Sequence, residues 1–196
     1  MEKQTPKPIL DPNFFTEPNP KSTGQPDYTP IFNSKIARNR RKKVCQVRMI
    51  KDRETPKMVL EGIDLTGFIF SKCIFRGAKF LGCFGRTSFQ NCNLYQANFE
   101  DCDFQNIDFH QCHLREAIIG GKFCGSDWSG VNLEESLLGG LFTGIRLNQC
   151  SFRDANLHAV TFKDCEFHAV DFTRTSLELD PEGWLGCTLP SGVTVV

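Results

Sequence analysis

The sequence predicts an all-β solenoid that follows a separate N-terminal segment rich in proline and basic residues. Three observations lead to this prediction. A large apolar residue recurs every five positions between Leu60 and Leu177, phenylalanine (18 residues) far outnumbers tyrosine and tryptophan (two each), and seven of the ten prolines lie in the first 30 residues. The first two features indicate a regularly stacked core, whereas the proline-rich stretch lacks the periodicity of a helix or a strand.

The five-residue period covers most of the chain. Its centres form four runs, at positions 60–80, 84–119, 123–138 and 142–177, and together they make 25 consecutive units. A smaller residue, often Ala, Cys or Val, lies two positions before many of the centres. An α-helix repeats every 3.6 residues and a strand every two, so we infer a chain that turns a corner every five residues. Stacked coils of such a chain bury a continuous core that no single coil forms alone.

Individual units carry a family signature. Residues 97–101 (Ala-Asn-Phe-Glu-Asp) and 155–159 (Ala-Asn-Leu-His-Ala) resemble the A(D/N)LXX unit of the pentapeptide-repeat family, and the resemblance extends over about residues 58–179. It implies an all-β, right-handed quadrilateral β-helix with about four units per coil and about six coils. At one strand spacing of ~4.8 Å per coil, the rod is expected to be ~30 Å long.

Three breaks in the period support four units per coil. At each break the step between centres shortens to four residues, and the breaks are separated by eight and by four units. Because both intervals are multiples of four, we predict that all three breaks lie at the same edge of the rod. A glycine two positions before the new centre supplies the backbone freedom that a shortened corner requires. The new centres are Phe84, Phe123 and Phe142, and the glycines are Gly82, Gly121 and Gly140.

Four units per coil place the centres in four columns. One column is expected to be a core ladder of aromatic rings, because flat rings fill a narrow core and bring no hydroxyl group that needs a partner. After Leu65, its predicted members are Phe84, Phe104, Phe123, Phe142 and Phe162.

The domain boundaries follow from the repeat. We assign residues 1–56 to a largely disordered tail with a cap near its end, residues 57–179 to the solenoid, and residues 180–196 to a C-terminal cap. Trp184 is expected to cover the last coil, and the β-branched terminus is a candidate strand that pairs either with its own rod or with a second copy in a homodimer. The expected cover of the first coil is Val47, Met49 and Ile50.

The formal net charge of zero conceals two oppositely charged parts. Residues 1–55 hold 12 basic and 6 acidic residues, whereas residues 56–196 hold 11 and 17. Nucleic-acid contact, anionic membrane contact, nuclear import and a solvated linker all remain open for the basic part, which would partly neutralise the acidic rod if it lay beside it. The basic run, the candidate site for an anionic partner, consists of Lys35, Arg38, Arg40, Arg41, Lys42 and Lys43.

The ten cysteines are interpreted as small core residues. Six lie at the inward position two before a centre, and Cys73, Cys92 and Cys112 are predicted to stack in one column. A single-file column cannot surround a tetrahedral metal, so no metal or cofactor is predicted. Unpaired buried thiols fit a reducing, cytoplasmic location.

The sequence favours a non-enzymatic protein-interaction rod with a basic tethering tail and an unidentified protein partner. It contains no nucleophile elbow, phosphate-binding loop or zinc-protease motif, and a filled core leaves no cleft for a substrate. It also contains neither a run of 18 apolar residues nor the apolar stretch of a secretory signal, so no transmembrane segment is expected.

Two alternatives remain. Some pentapeptide-repeat proteins imitate the shape and charge of B-DNA, bind DNA gyrase and protect it from quinolones, so the resemblance implies this function as a second candidate. The chain departs from that pattern in the modest negative charge of its repeat region, in the lack of a long loop between its repeats and in its long tail. A third candidate is a secreted bacterial effector, because some effectors carry such repeats behind an unrelated leader.

Overall fold

The fold is a four-sided β-solenoid. The computed structural model describes residues 48–176 together with Trp184, Gly186 and Cys187, so the basic run, Val47, Leu177 and the C-terminal edge lie outside the described residues. The described part contains strands and no α-helix, and in it no helix is long and apolar enough to cross a membrane. Its strands are Arg48–Lys51 (β1), Val59–Glu61 (β2), Phe68–Ser71 (β3), Lys79–Leu81 (β4), Phe84–Gln90 (β5), Asn98–His110 (β6), Ile118–Cys124 (β7), Asp127–Ser129 (β8), Leu137–Thr143 (β9), Arg146–Asn148 (β10), Asn156–Lys163 (β11) and Glu166–His168 (β12).

The strands pair only with strands one coil away, and every pair is parallel. β1 pairs with β3, β3 with β5 and β5 with β6, and the same order continues through β7 and β9 to β11. About six coils stack in this way, and the solenoid already includes β1, which lies within the segment 1–56 that was assigned to the tail. The all-β solenoid predicted from the sequence is therefore confirmed.

The strand registers divide the inward-pointing residues into four columns, and we name the four sides of the rod faces A to D after them. Three columns contain the residues that the five-residue period assigned to them. Column A is Ile50, Phe70, Phe89, Phe109, Trp128, Leu147 and Phe167, column B is Phe75, Leu94, Leu114, Leu133, Phe152 and Phe172, column C is Leu60, Phe80, Phe99, Ile119, Leu138 and Leu157, and column D is Leu65, Gly85, Phe104, Phe123, Phe142 and Phe162.

The rings of the core stack at the spacing of the coils. The ring centroids of Phe80 and Phe99 lie 4.6 Å apart with planes 3° from parallel, and those of Phe123 and Phe142 lie 4.9 Å apart at 8°. Rings of different columns meet edge to face, as Phe89 and Phe99 do at 86°. Both geometries are favourable for aromatic pairs, so rings of the same column and rings of different columns pack well together in one narrow core.

Column D differs from the predicted ladder at one position. Phe104, Phe123, Phe142 and Phe162 are buried, but Phe84 is only half-buried and lies outside the column. Its place is taken by Gly85, which pairs with Phe104 in the strand register.

The position of the first shortened corner explains this correction. Cys83 completes a full five-residue step and is buried, so the next residue, Phe84, points outward. The missing residue of this coil falls after Gly85, where the register with β6 shifts and the backbone has φ of 104°. A Cβ atom at Gly85 would overlap the side chain of Thr66, so only glycine fits this corner.

The other two breaks lie where the sequence predicted them. Gly121 and Gly140 stack on each other with φ of 125° and 98°, and both directly precede face D. The first break lies one corner later, after Gly85, so the prediction that all three share one edge holds for two of them.

Corner residues adopt left-handed backbone conformations throughout the described rod. Fifteen residues other than glycine have positive φ, among them Asp101 at 56° and Glu116 at 58°. At the corner from face B to face C the backbone N–H of Ala97 donates to the carbonyl of Leu94 at 2.9 Å, which is the hydrogen bond of a β-turn whose third residue has positive φ. The regular turn makes each corner equivalent to the one a coil below.

Both ends of the rod are covered by apolar residues. Ile50 is buried at the N-terminal end, whereas Met49 is 54% exposed and does not contribute to the cover. At the other end Trp184 lies 4.8 Å from the ring of Phe162 and 5.4 Å from that of Phe167, so it closes the last coil.

The corrected column gives a matched pair of variants. Phe104→Ala removes a fully buried ring and is expected to lower the free energy of unfolding by ~3–5 kcal/mol. Phe84→Ala removes a half-buried ring of the same size and is expected to cost ~1 kcal/mol. Denaturant unfolding followed by circular dichroism measures both, and equal losses would contradict the corrected register.

Two adjacent glycines test the shortened corner. A Cβ atom at Gly121 would overlap the backbone carbonyl of Cys102, and the residue has positive φ, so Gly121→Ala is expected to cost more than ~2 kcal/mol. At Gly120 the nearest atom to a Cβ is 3.9 Å away and φ is not positive, so Gly120→Ala is expected to leave stability unchanged or raise it by up to ~1 kcal/mol. The same unfolding measurement applies, and a stable Gly121→Ala variant would refute the assigned corner.

Candidate interaction surface

The buried cysteines have a structural role. The thiol of Cys92 donates to the carbonyl of Phe70 at 3.4 Å, and that of Cys112 donates to the carbonyl of Phe89 at 3.2 Å. Each of these carbonyls belongs to the preceding coil and faces the core at the corner between faces A and B. A thiol is small enough for this position and supplies the weak donor that alanine lacks.

Most of the described cysteine thiols are buried and have raised pKa values. The nine described cysteines are free thiols, and the described residues contain no group of side chains arranged to hold a metal ion. Burial raises the pKa of Cys83 and that of Cys165 to about 12, and a hydrogen bond with Cys112 together with burial raises the pKa of Cys92 to about 12. A reactive cysteine requires a lowered pKa and access to solvent, so Cys83, Cys92 and Cys165 are poor nucleophiles. A hydrogen bond with Cys92 lowers the pKa of Cys112, but this thiol is buried and has no access to solvent.

Charged side chains on face B pair with one another from coil to coil. The guanidinium groups donate to carboxylates at 2.6 Å, and the bond from Arg174 lowers the pKa of Asp154. Such exposed pairs each contribute ~0–1 kcal/mol, but they leave little unpaired charge on this face. The pairs are Arg115–Glu135, Arg153–Glu134 and Arg174–Asp154.

Aromatic and amide groups extend the polar network of face B. The hydroxyl of Tyr95 donates to Glu116 at 2.9 Å. The Tyr95 ring stacks on His113 with 6.0 Å between the ring centroids, and the guanidinium of Arg76 lies over the Tyr95 ring at 5.4 Å from its centroid. Hydrogen bonds from Gln96 and Tyr95 lower the pKa of Glu116. Face B thus satisfies most of its polar groups internally, although the buried Nε of Arg115 has no hydrogen-bond partner.

The corner between faces C and D carries carboxylates without such partners. Glu100, Asp101 and Asp103, which we call the acidic cluster, form no ion pair with any residue in the described part of the chain. Glu100 accepts a hydrogen bond from the Asn98 amide at 2.6 Å, and Lys122 follows Asp103 in the same outward column without pairing with it. The charge of the cluster is therefore available to a ligand.

An exposed apolar surface adjoins the acidic cluster. Ile118, Leu137 and Leu141 are between 36% and 45% exposed, and Ile118 stacks directly under Leu137 in the strand register. Gly120 and Gly139 stack on each other, after Ile118 and Leu137 and before Leu141 along the chain. Because glycine has no side chain, the backbone is uncovered at these two positions. We call this surface the apolar trough.

The two glycines of the apolar trough are not required by the fold. Neither Gly120 nor Gly139 has a positive φ, and a Cβ atom would meet nothing closer than 3.9 Å at Gly120 and 3.5 Å at Gly139. Glycine in a strand lowers stability by ~0.5–1 kcal/mol relative to alanine. Its presence in two stacked coils therefore favours a role in what this surface binds.

The apolar trough was not predicted from the sequence. The repeat assigns Ile118, Leu137 and Leu141 to the outward position just before a centre, so an apolar residue at that position was the available signal. Asp108, which lies near the acidic cluster in sequence, belongs to face A, where it accepts the backbone N–H of Asp127 at 3.1 Å.

The filled core and the patterned surface define a solenoid repeat protein whose chemistry lies on its exterior. The chain belongs to the pentapeptide-repeat family: the family model for a pentapeptide repeat region matches residues 59–142, and the model for pentapeptide repeats, in eight copies, matches residues 141–178. No match was found among curated protein sequences.

Solved structures were found that resemble this chain, and one of them, QnrB1, shares its fold. QnrB1, a plasmid-mediated fluoroquinolone resistance protein, is 16% identical over 76% of this chain and 87% of its own, with a TM-score of 0.53. HetL from the cyanobacterium Nostoc sp. strain PCC 7120, described as involved in heterocyst differentiation regulation, is 13% identical over 72% and 85% of the two chains, with a TM-score of 0.28. At 16% identity the likeness to QnrB1 concerns the fold alone.

The raised thiol pKa values predict the order of alkylation. Cys124 is half-buried, whereas Cys92 is buried with a pKa of about 12, and only the thiolate reacts. With iodoacetamide at about pH 8, native Cys124 is expected to react at least ~10-fold faster than Cys92, and unfolding is expected to remove the difference. Mass spectrometry of digested samples gives both rates, and equal native rates would contradict the burial.

Proposed function

We propose that this protein is a non-catalytic interaction rod whose binding surface for a protein partner is the apolar trough. The observation that carries the proposal is the exposed apolar surface built over glycines that the backbone does not need. A trough of this kind admits large apolar side chains of a partner against the bare backbone, as the centres of protein interfaces do. The stacked coils hold the surface rigid, so little conformational entropy is lost on binding.

The basic run supplies the second part of the proposed function. Its six basic side chains form the candidate contact for an anionic partner and would tether the rod to it. Exposed charges are screened within ~10 Å at 0.1 M salt, so the tether is expected to weaken as salt rises. The free buried thiols support a reducing, cytoplasmic location. Pairing of the C-terminal segment in a homodimer remains a prediction.

A DNA mimic that binds DNA gyrase is the second candidate. The unpaired carboxylates of the acidic cluster favour it, because such a mimic presents negative charge to its target. Against it, apolar residues interrupt the acidic charge in the neighbouring coils on this corner, namely Leu81 on one side and Ile118 on the other. We therefore rank the protein-interaction rod first.

Matched substitutions in one outward column test the proposed surface. Leu137→Ser lies in the trough, and Val59→Ser lies in the same column with 38% exposure but remote from the trough. Photo-cross-linking of the full chain in lysate is expected to lose its protein partners by at least ~10-fold with Leu137→Ser and to keep them with Val59→Ser, because one buried interface side chain is worth ~1–2 kcal/mol or more.

Two outcomes would contradict the proposed interaction rod. Equal capture by both variants would show that the trough is not the binding surface. Inhibition of gyrase supercoiling, or protection from a quinolone, at low micromolar full chain would place the DNA mimic first.

A further inference from the structure

The chain that precedes β1 enters the rod at the corner between faces D and A, one face away from the acidic cluster. Arg48 begins the first strand of face A, which follows face D along the chain. In its column Arg48 stacks under Phe68, Thr87 and then Ile107. Asp103 precedes Ile107 by four residues, so the acidic cluster lies about three coils, or ~14 Å along the rod, and one face away from the point where the upstream chain joins.

The basic run is within reach of that position. An extended chain spans ~3.3–3.6 Å per residue, so Lys43, five residues before Arg48, reaches ~17 Å, and Arg40 reaches ~27 Å. Ile36, twelve residues before Arg48, reaches ~40 Å, which extends past the apolar trough one and two coils beyond the cluster. The distances therefore allow contact within one molecule.

The chemistry of the corner matches that of the upstream segment. The corner presents an unpaired acidic cluster and then the apolar trough, whereas the segment presents four consecutive basic residues, Arg40–Lys43, and further from the rod the aliphatic Ile36. Face B offers no equivalent, because three of its carboxylates already bind arginines of neighbouring coils. An opposite charge held close to unpaired carboxylates by a short tether binds at a high effective concentration.

We propose that residues 35–47 dock on the C–D corner of their own rod, with Arg40–Lys43 on the acidic cluster and Ile36 over the apolar trough. The docked segment covers the surface assigned above to a protein partner, so this inference rests on the proposed function for its biological meaning. A partner and the segment compete for the trough, and an anionic ligand that removes the basic run exposes it. Docking therefore couples the binding of an anionic ligand by the basic run to the exposure of the apolar trough.

Cross-linking of the full chain tests the docking directly. A carbodiimide joins a lysine amine to a carboxylate that it touches, without a spacer. Lys42 or Lys43 is expected to couple to the acidic cluster in dilute protein, and the yield is expected to fall at least ~5-fold in about 0.5 M salt, because these charges are exposed. A mixture of ordinary and isotope-labelled protein separates contacts within a molecule from contacts between copies.

Proteolysis with matched charge variants gives a second readout. In Glu100→Gln/Asp101→Asn/Asp103→Asn the basic run is expected to be released, so that trypsin cleaves it at least ~5-fold faster, since a bound segment is protected only while bound. Asparagine tolerates the positive φ of Asp101, so the fold is retained.

The control removes the same number of charges from face B. Glu134→Gln/Glu135→Gln/Asp154→Asn is expected to leave both the cross-links and the cleavage rate unchanged. Cross-links to face B, cross-links between copies, or equal cleavage of the two triple variants would overturn the docking. If the cross-links to the acidic cluster form but Leu137→Ser captures partners as well as the unchanged protein does, only the proposed function is rejected. If Leu137→Ser loses its partners but the cross-links do not form, only the docking is rejected.

Discussion

The parallel stacking of each coil on the one before, at the spacing of neighbouring strands, is the constraint on which the rest of the structure depends. Because equivalent positions repeat every ~4.8 Å along the rod, each inward side chain meets its own counterpart at that distance. Flat rings satisfy this spacing, as the 4.6 Å stack of Phe80 on Phe99 shows. The same constraint brings inward carbonyls of one coil under the small inward residues of the next, which gives the buried thiols such as Cys92 their acceptors.

The regularity of the stack explains which parts of the fold could be predicted from sequence. A strictly repeated environment selects the same kind of residue each time, so the period alone identified the columns of Phe99 and Phe109. The period was wrong at Phe84 because a pattern of large apolar residues favours Phe84 over the adjacent glycine as the inward residue. In the structure the inward position of column D belongs to Gly85. Only the paired coil, which sets the register, reveals that the shortened step comes after Gly85.

Surface function was less predictable because it depends on relations between coils. The five-residue period places Glu100 and Glu134 equally at outward positions. In the structure Glu134 binds Arg153 of the next coil, whereas Glu100 accepts a hydrogen bond from Asn98 and forms no ion pair within the described residues. Such pairs join residues about twenty positions apart, so they become visible only when the number of residues in each coil is known. The division between a self-neutralised face B and an unpaired C–D corner is therefore a property of the three-dimensional stack.

The glycines at the C–D corner show how a solid solenoid can still carry a binding surface. Gly121 and Gly140 are required by their positive φ, but Gly120 and Gly139 precede them without any such requirement. A side chain at either position would have space, would favour the strand and would cover the neighbouring backbone. Since the fold gains nothing from leaving these positions bare, the compensation is expected in a contact outside the rod. The omission of side chains at Gly120 and Gly139 leaves backbone exposed beside the apolar side chains of Ile118, Leu137 and Leu141.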